Sequence, residues 1–136
     1  MYLCNFYKKR AIRAIYNLRP RDSLREKFKE IDILTVASQY IYNNIIFVRQ
    51  NILSYKKIGD LHNRLTRNRD KLAAPTFRLR KVQKSFVGMG ITFYNKIPQT
   101  ILDLPFHKFK KSIKNMLLKK AYYTIEDYLN DKRAWI

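Results

Sequence analysis

Residues 34 to 53 read LTVASQYIYNNIIFVRQNIL, and the apolar positions in this stretch decide the fold. Leu34, Ala37, Ile41, Ile45, Val48 and Ile52 recur at spacings of three and four, the period of an α-helix. Tyr40, Ile46 and Phe47 widen the stripe until the polar strip is chiefly Gln39, Asn43 and Gln50. A helix apolar around most of its circumference is normally covered on most sides. This segment is therefore expected at the centre of the domain, with its aromatics as core.

Upstream, Leu3, Tyr7, Ala11, Ala14, Ile15 and Leu18 also keep helical spacing and read as one packed face. Pro20 lacks an amide hydrogen, so the helix should end near Leu18. Lys9, Arg13 and Tyr16 lie away from the apolar face and are expected to form an outward cationic ridge carrying one aromatic. Ser23 with Glu26 three residues on has the form of a capping box, opening a short helix from Leu24 to Glu30.

Downstream, Pro105 can open a helix in which Phe106, Phe109, Ile113, Met116 and Leu117 share a face. Lys108, Lys110, Lys111, Lys114 and Lys119 mostly lie off that face, giving a second cationic helix. Ile91 to Asn95 reads as a short element after Gly88 and Gly90, with a break at Pro98. Thr124 and Asp127 suit a cap for a last helix, Ile125 to Leu129.

Residues 54 to 87 differ in kind. Apolar periodicity fades while Lys56, Lys57, Arg64, Arg67, Arg69, Lys71, Arg78, Arg80, Lys81 and Lys84 accumulate against Asp60 and Asp70 alone. Phe77 and Leu79 alternate with Arg78 and Arg80, the pattern of a short strand; the rest reads as a long loop, which in a compact domain is usually functional or mobile. The expected fold is mainly α, a small helical bundle with a long basic loop or short β segment near residues 56–87. One domain is expected over residues 1–136: an opening helix (1–19), a helical core (22–53), a basic arm (54–87) and C-terminal helices (88–130).

Over 136 residues, Lys and Arg number 29 against 10 Asp and Glu, a formal charge of +19, while 46% of the chain is apolar. That apolar share supports one real core and argues against disorder. The charge excess implies a polyanionic partner, nucleic acid first. A lone cysteine, Cys4, excludes an internal disulfide and suits a reducing compartment, intracellular and either nuclear or cytoplasmic. No apolar run approaches the roughly 20 residues that span a bilayer, so no membrane is expected.

Catalytic motifs fail on spacing. Cys4, His62 and His107 are scattered singly, which gives neither a zinc set nor a Cys and His pair. Gly88 and Gly90 lack the third glycine or the lysine and hydroxyl of phosphate loops. No two aspartates are adjacent, so no polymerase, nuclease or hydrolase centre assembles from local motifs. No catalytic residue, metal, cofactor or small-molecule substrate is expected. Cations interleaved with aromatics remain, because Lys and Arg neutralise phosphates while Tyr or Phe stack on exposed bases. The candidate nucleic-acid contacts are Lys9, Arg13, Tyr16, Arg64, Arg67, Arg69, Lys71, Arg78, Arg80, Lys81, Lys84, Lys111 and Lys114.

Five segments taken in order carry a family resemblance: KKRAIRAIYNL (8–18), RDSLREKFKEIDILTVASQYIYNNIIFV (21–48), HNRLTRN (62–68), GITFYNKIPQTI (90–101) and FKKSIKNMLLKKAYYTIEDYL (109–129). The chain resembles, over residues 8 to 130, the extreme C-terminal part of reverse transcriptases encoded by jockey-like non-LTR retrotransposons. The resemblance implies that the opening helix corresponds to the end of the thumb and the remainder to a helical extension that handles template RNA and target DNA. The palm of that family, with its aromatic-Ala-Asp-Asp signature, has no counterpart here. The chain is thus expected to be a non-catalytic fragment of an RNA-directed DNA polymerase, a truncated or degenerate reading frame or a partial gene. Two alternatives stand beside it: a protein-interaction module docking on a polymerase core, and a non-functional transposon remnant.

Overall fold

The computed structural model describes residues 2–62, 64–76 and 78–135, with backbone alone at Tyr2, Arg80 and Val82. It is mainly helical: α1 (Tyr2–Ile15), α2 (Arg25–Glu30), α3 (Val36–Gln50), a 3-10 turn (Ile52–Ser54), α4 (Ile58–Leu61), α5 (Arg80–Gln83), α6 (Phe86–Asn95), α7 (Gln99–Leu102), α8 (Phe106–Lys120) and α9 (Ile125–Asn130). Among the described residues the β structure is one isolated antiparallel bridge, Lys57 to Leu72. The chain gathers into two compact units, Met1–Tyr42 with Pro105–Ile136, and Asn43–Leu104, so the division falls within α3.

Thr35 opens α3 as its N-cap. Its hydroxyl accepts from the Ser38 amide at 3.1 Å while its carbonyl accepts from Gln39, satisfying an amide that has no partner inside the helix. The predicted stripe is then buried at Leu34, Ala37, Ile41, Ile45 and Val48, and Gln39, Asn43 and Gln50 are exposed as expected. At its end the stripe weakens: Ile52, in the 3-10 turn that changes the helical phase, is half-buried, and the neighbouring Leu53 is 99% exposed.

In the unit of residues 1–42 and 105–136, the predicted faces of α8 hold except at its first residue, Phe106, which is exposed. Phe109, Ile113 and Leu117 are fully buried, Met116 is half-buried, and Lys108, Lys110 and Lys111 are exposed. Thr124 and Asp127 form the anticipated reciprocal cap at α9. Fully buried Tyr128 meets Tyr122 edge to face at 5.5 Å between centroids, and Tyr122 donates to Asp131 at 2.8 Å. The Thr35 hydroxyl also donates to the Tyr122 carbonyl.

Helix α1 reverses the expectation. Leu3 (71% exposed), Tyr7 and Ile15 face solvent together with Ala11 and Ala14, and the packed side carries Lys8, Lys9, Ile12 and Arg13. Ile12 is the anchor, buried with Leu24 and Phe28. The cations flanking it find polar partners: Lys8 Nζ donates to the Leu34 carbonyl at 2.6 Å, and Lys9 Nζ sits 4.2 Å from the centre of the Tyr123 ring. Burial lowers the pKa of Lys8. A long cationic side chain can cover apolar surface with its methylenes while its head is satisfied elsewhere, which a count of apolar positions does not register.

Helix ends in this unit use left-handed residues other than glycine. Asn17 has φ 50°, and the Leu18 amide returns to the Arg13 carbonyl at 2.9 Å; Asp32 has φ 55°, and the Ile33 amide returns to Phe28 at 3.1 Å. Both are six-to-one closures that satisfy terminal carbonyls. Asn17 thus ends α1 before Pro20 can. Ser23 makes no cap either: the N-cap position of α2 is Leu24, without a side-chain hydrogen bond, and Asp22 accepts from the Arg19 amide instead.

In the unit of residues 43–104, α6 begins earlier than predicted because Gly88 and Gly90 lie inside it. A Cβ at Gly90 would stand 3.0 Å from Val48 Cγ2, and one at Gly88 would stand 2.3 Å from the Gln83 carbonyl oxygen. These glycines permit close packing rather than a phosphate loop. The strand expected at 77–80 is not formed: Arg80 opens α5 and Leu79 is exposed, while Phe77 lies outside the described residues.

Candidate nucleic-acid interface

Residues 56–73 form a closed loop. Its stem is built by backbone bonds from Ala73 to the Lys56 carbonyl (2.8 Å), Ile58 to Lys71 (2.9 Å) and Gly59 to Arg69 (2.9 Å). Within it, Arg69 bonds back to Thr66 and Lys71 to Asn68, and the Asp60 carboxylate accepts from the Lys57 amide. A Cβ at Gly59 would stand 2.3 Å from Arg69 Cγ, so a larger residue there would displace the Arg69 side chain.

Leu72 pins the loop. It is buried, and the Asn95 side chain at the end of α6 holds its peptide on both sides, accepting from the Leu72 amide and donating to its carbonyl at 2.9 Å each. One amide side chain thereby replaces a neighbouring strand and satisfies two backbone groups that burial would leave costly.

Every basic side chain described on this loop is exposed: Lys56, Lys57, Arg64, Arg67, Arg69 and Lys71. Arg78, Lys81 and Lys84, before, on and just after α5, are exposed as well; the Arg80 side chain lies outside the described ones. Among the described residues, none of these nine cations takes part in an ion pair. Unpaired and hydrated, they are available to phosphate.

The candidates in the other unit are placed differently. Lys9 and Arg13 are half-buried on the packed side of α1, which corrects the expected outward ridge. Lys9 shares the Tyr123 ring with Arg25, whose guanidinium carbon lies 5.0 Å from its centre. Burial raises the Tyr123 pKa, opposed by the charges of Arg25 and Arg13. Tyr16 is 41% exposed, but Lys27 stands 4.4 Å from its ring centre. Lys114 pairs with Asp32 at 2.7 Å and Lys120 with Asp131 at 3.2 Å. Lys111 is exposed.

Among the described residues no group of three or more His, Cys, Asp or Glu converges as a metal-binding set, and no helix is long and apolar enough to cross a membrane. Cys4, His62 and His107 are each exposed. Compared with protein-family models, curated proteins and solved structures, the chain has no match.

Proposed function

We propose that this chain is a non-catalytic nucleic-acid-binding segment, the C-terminal part of a reverse transcriptase of the non-LTR retrotransposon type, which grips template RNA or target DNA through phosphates. The single observation that carries the binding reading is the pinned loop at 56–73, continued by Arg78, Lys81 and Lys84, whose exposed cations have no acidic partners among the described residues. The polymerase parentage rests on the five-segment resemblance in the sequence. Such a grip positions a backbone without reading bases. Its test is binding of the purified chain to labelled single-stranded RNA and duplex DNA across a salt series: affinity falls steeply with salt, at about 0.9 log units per log unit of salt for each duplex phosphate neutralised. Weak binding that ignores salt contradicts the proposal.

A second reading, docking on a larger protein such as a polymerase core, is favoured by α1 alone. Its exposed side gathers Leu3, Phe6, Tyr7 and Ile15, each more than half exposed, beside Ala11 and Ala14. Contiguous apolar surface of this kind marks interaction sites more often than scattered single residues do. Leu3→Ser with Ile15→Ser is expected to change stability by less than about 0.5 kcal/mol while reducing self-association of the isolated chain. Strong destabilisation would show that the face is already covered.

A further inference from the structure

Beside the loop stem lies an open groove of about 640 Å³, walled by Tyr55, Ile58, Leu61, His62, Pro75 and Thr76. Its shape follows from the local fold. Tyr55 leaves the 3-10 turn in extended conformation, His62 leaves α4 the same way, and the bonded stem carries the chain on from Ala73 to Pro75 along the groove. The walls are mostly apolar with two aromatic rings; Lys56 lies on the groove itself, and the exposed Lys57 belongs to the same stem.

We infer that this groove receives an unpaired base of a single-stranded nucleic acid while the loop cations hold the phosphates on either side of it. Three features point to that occupant. Apolar walls offer nothing to a phosphate, so the groove takes a part of the ligand that the cations do not. Tyr55 and His62, both lining the groove, carry flat rings of the kind on which a base of any identity stacks, and Thr76 carries a hydroxyl that both donates and accepts. The cations around the groove supply the charge complement of a polyanionic strand. Bases in a duplex are already stacked on each other and cannot enter, so the groove separates single strands from duplexes whereas the loop cations serve both. This assignment rests on the phosphate-grip reading and adds a base site to it.

The test uses the full chain with four labelled probes of equal length, compared at each step of one salt series: an RNA strand, a DNA strand, a DNA duplex, and a strand whose sugar-phosphate backbone carries no bases. The base-free strand is expected to bind at least roughly fivefold more weakly than the normal DNA strand, the loss of one stacked base. His62→Ala, at an exposed position, narrows that difference and leaves duplex affinity unchanged; Tyr55→Ala does the same and Tyr55→Phe restores it. Equal binding of base-free and normal strands, with binding still falling as salt rises, overturns the base site and leaves the phosphate grip standing. Absence of binding to all four probes overturns both.

Discussion

Two basic regions of this molecule use their charge in opposite ways. In the unit built on α1, α2, α8 and α9, many of the cations end on groups of the same unit: Lys8 on a carbonyl, Lys9 and Arg25 on the Tyr123 ring, Lys27 on Glu30 and the Tyr16 ring, Lys114 on Asp32, Lys120 on Asp131. In the loop at 56–73 and the turn of helix that follows it, the backbone is fixed by its own bonds and by Asn95, and the cations are left to water. Formal charge is not the difference. Residues 43–104 hold 12 Lys and Arg with 3 Asp, and the rest of the chain holds 17 Lys and Arg with 7 acids. Charge density says where cations are; only their partners say which are free for a ligand.

The comparison breaks first if the loop is loosely attached. Leu72→Ala removes a buried side chain and is expected to cost about 2–5 kcal/mol, read by thermal denaturation, with faster amide exchange over 56–73. Exchange unchanged from the parent would mean the loop is not pinned there. Asn95→Ala leaves the Leu72 amide and carbonyl without that partner, at a cost of about 1–3 kcal/mol, and should lower nucleic-acid affinity through disorder of the loop with no change in its charge.

On the helical side, the Asp131 carboxyl is held below its ordinary value near 3.8, first by the Tyr122 hydroxyl and also by the Arg133 amide and Lys120. A depressed folded-state value means that the stability it contributes is present above the unfolded value and is lost as pH falls through the folded one. Asp131→Asn should therefore cost about 1 kcal/mol at neutral pH, with the gap to the parent closing in acid. A gap that stays the same size as pH falls through the carboxyl's titration would assign the loss to packing. Lys114→Ala, which breaks a largely exposed pair, should cost under about 1 kcal/mol and leave nucleic-acid affinity nearly unchanged.

The helices were legible where burial and apolar spacing coincide, as in α8 and most of α3. Helix α1 has the same spacing and the opposite orientation, because periodicity identifies a face without saying which way it turns. There Ile12 anchors a side otherwise made of cations, and its partners Tyr123 and the Leu34 carbonyl are distant in sequence. The loop's composition was legible and its architecture was not: Asn95 bonding Leu72 across 23 positions leaves no periodic trace. Gly88 was unreadable for the same reason, since it is needed for close approach to the Gln83 backbone, which spacing does not pair with it. Of the candidate residues, those between Arg64 and Lys84 that are described stand exposed, and Lys9 and Arg13 do not.

The most direct test of the free-cation claim is the change in the salt slope of duplex-DNA binding for two variants measured beside the parent. One carries Arg64→Ala, Arg67→Ala, Arg78→Ala and Lys81→Ala; the other carries Lys9→Ala, Lys27→Ala and Lys114→Ala. The loop variant should have a slope shallower by roughly 2 to 4, at about 0.9 for each phosphate no longer neutralised, and the helix variant should keep the parent slope. A shallower slope in the helix variant with an unchanged slope in the loop variant would contradict the account.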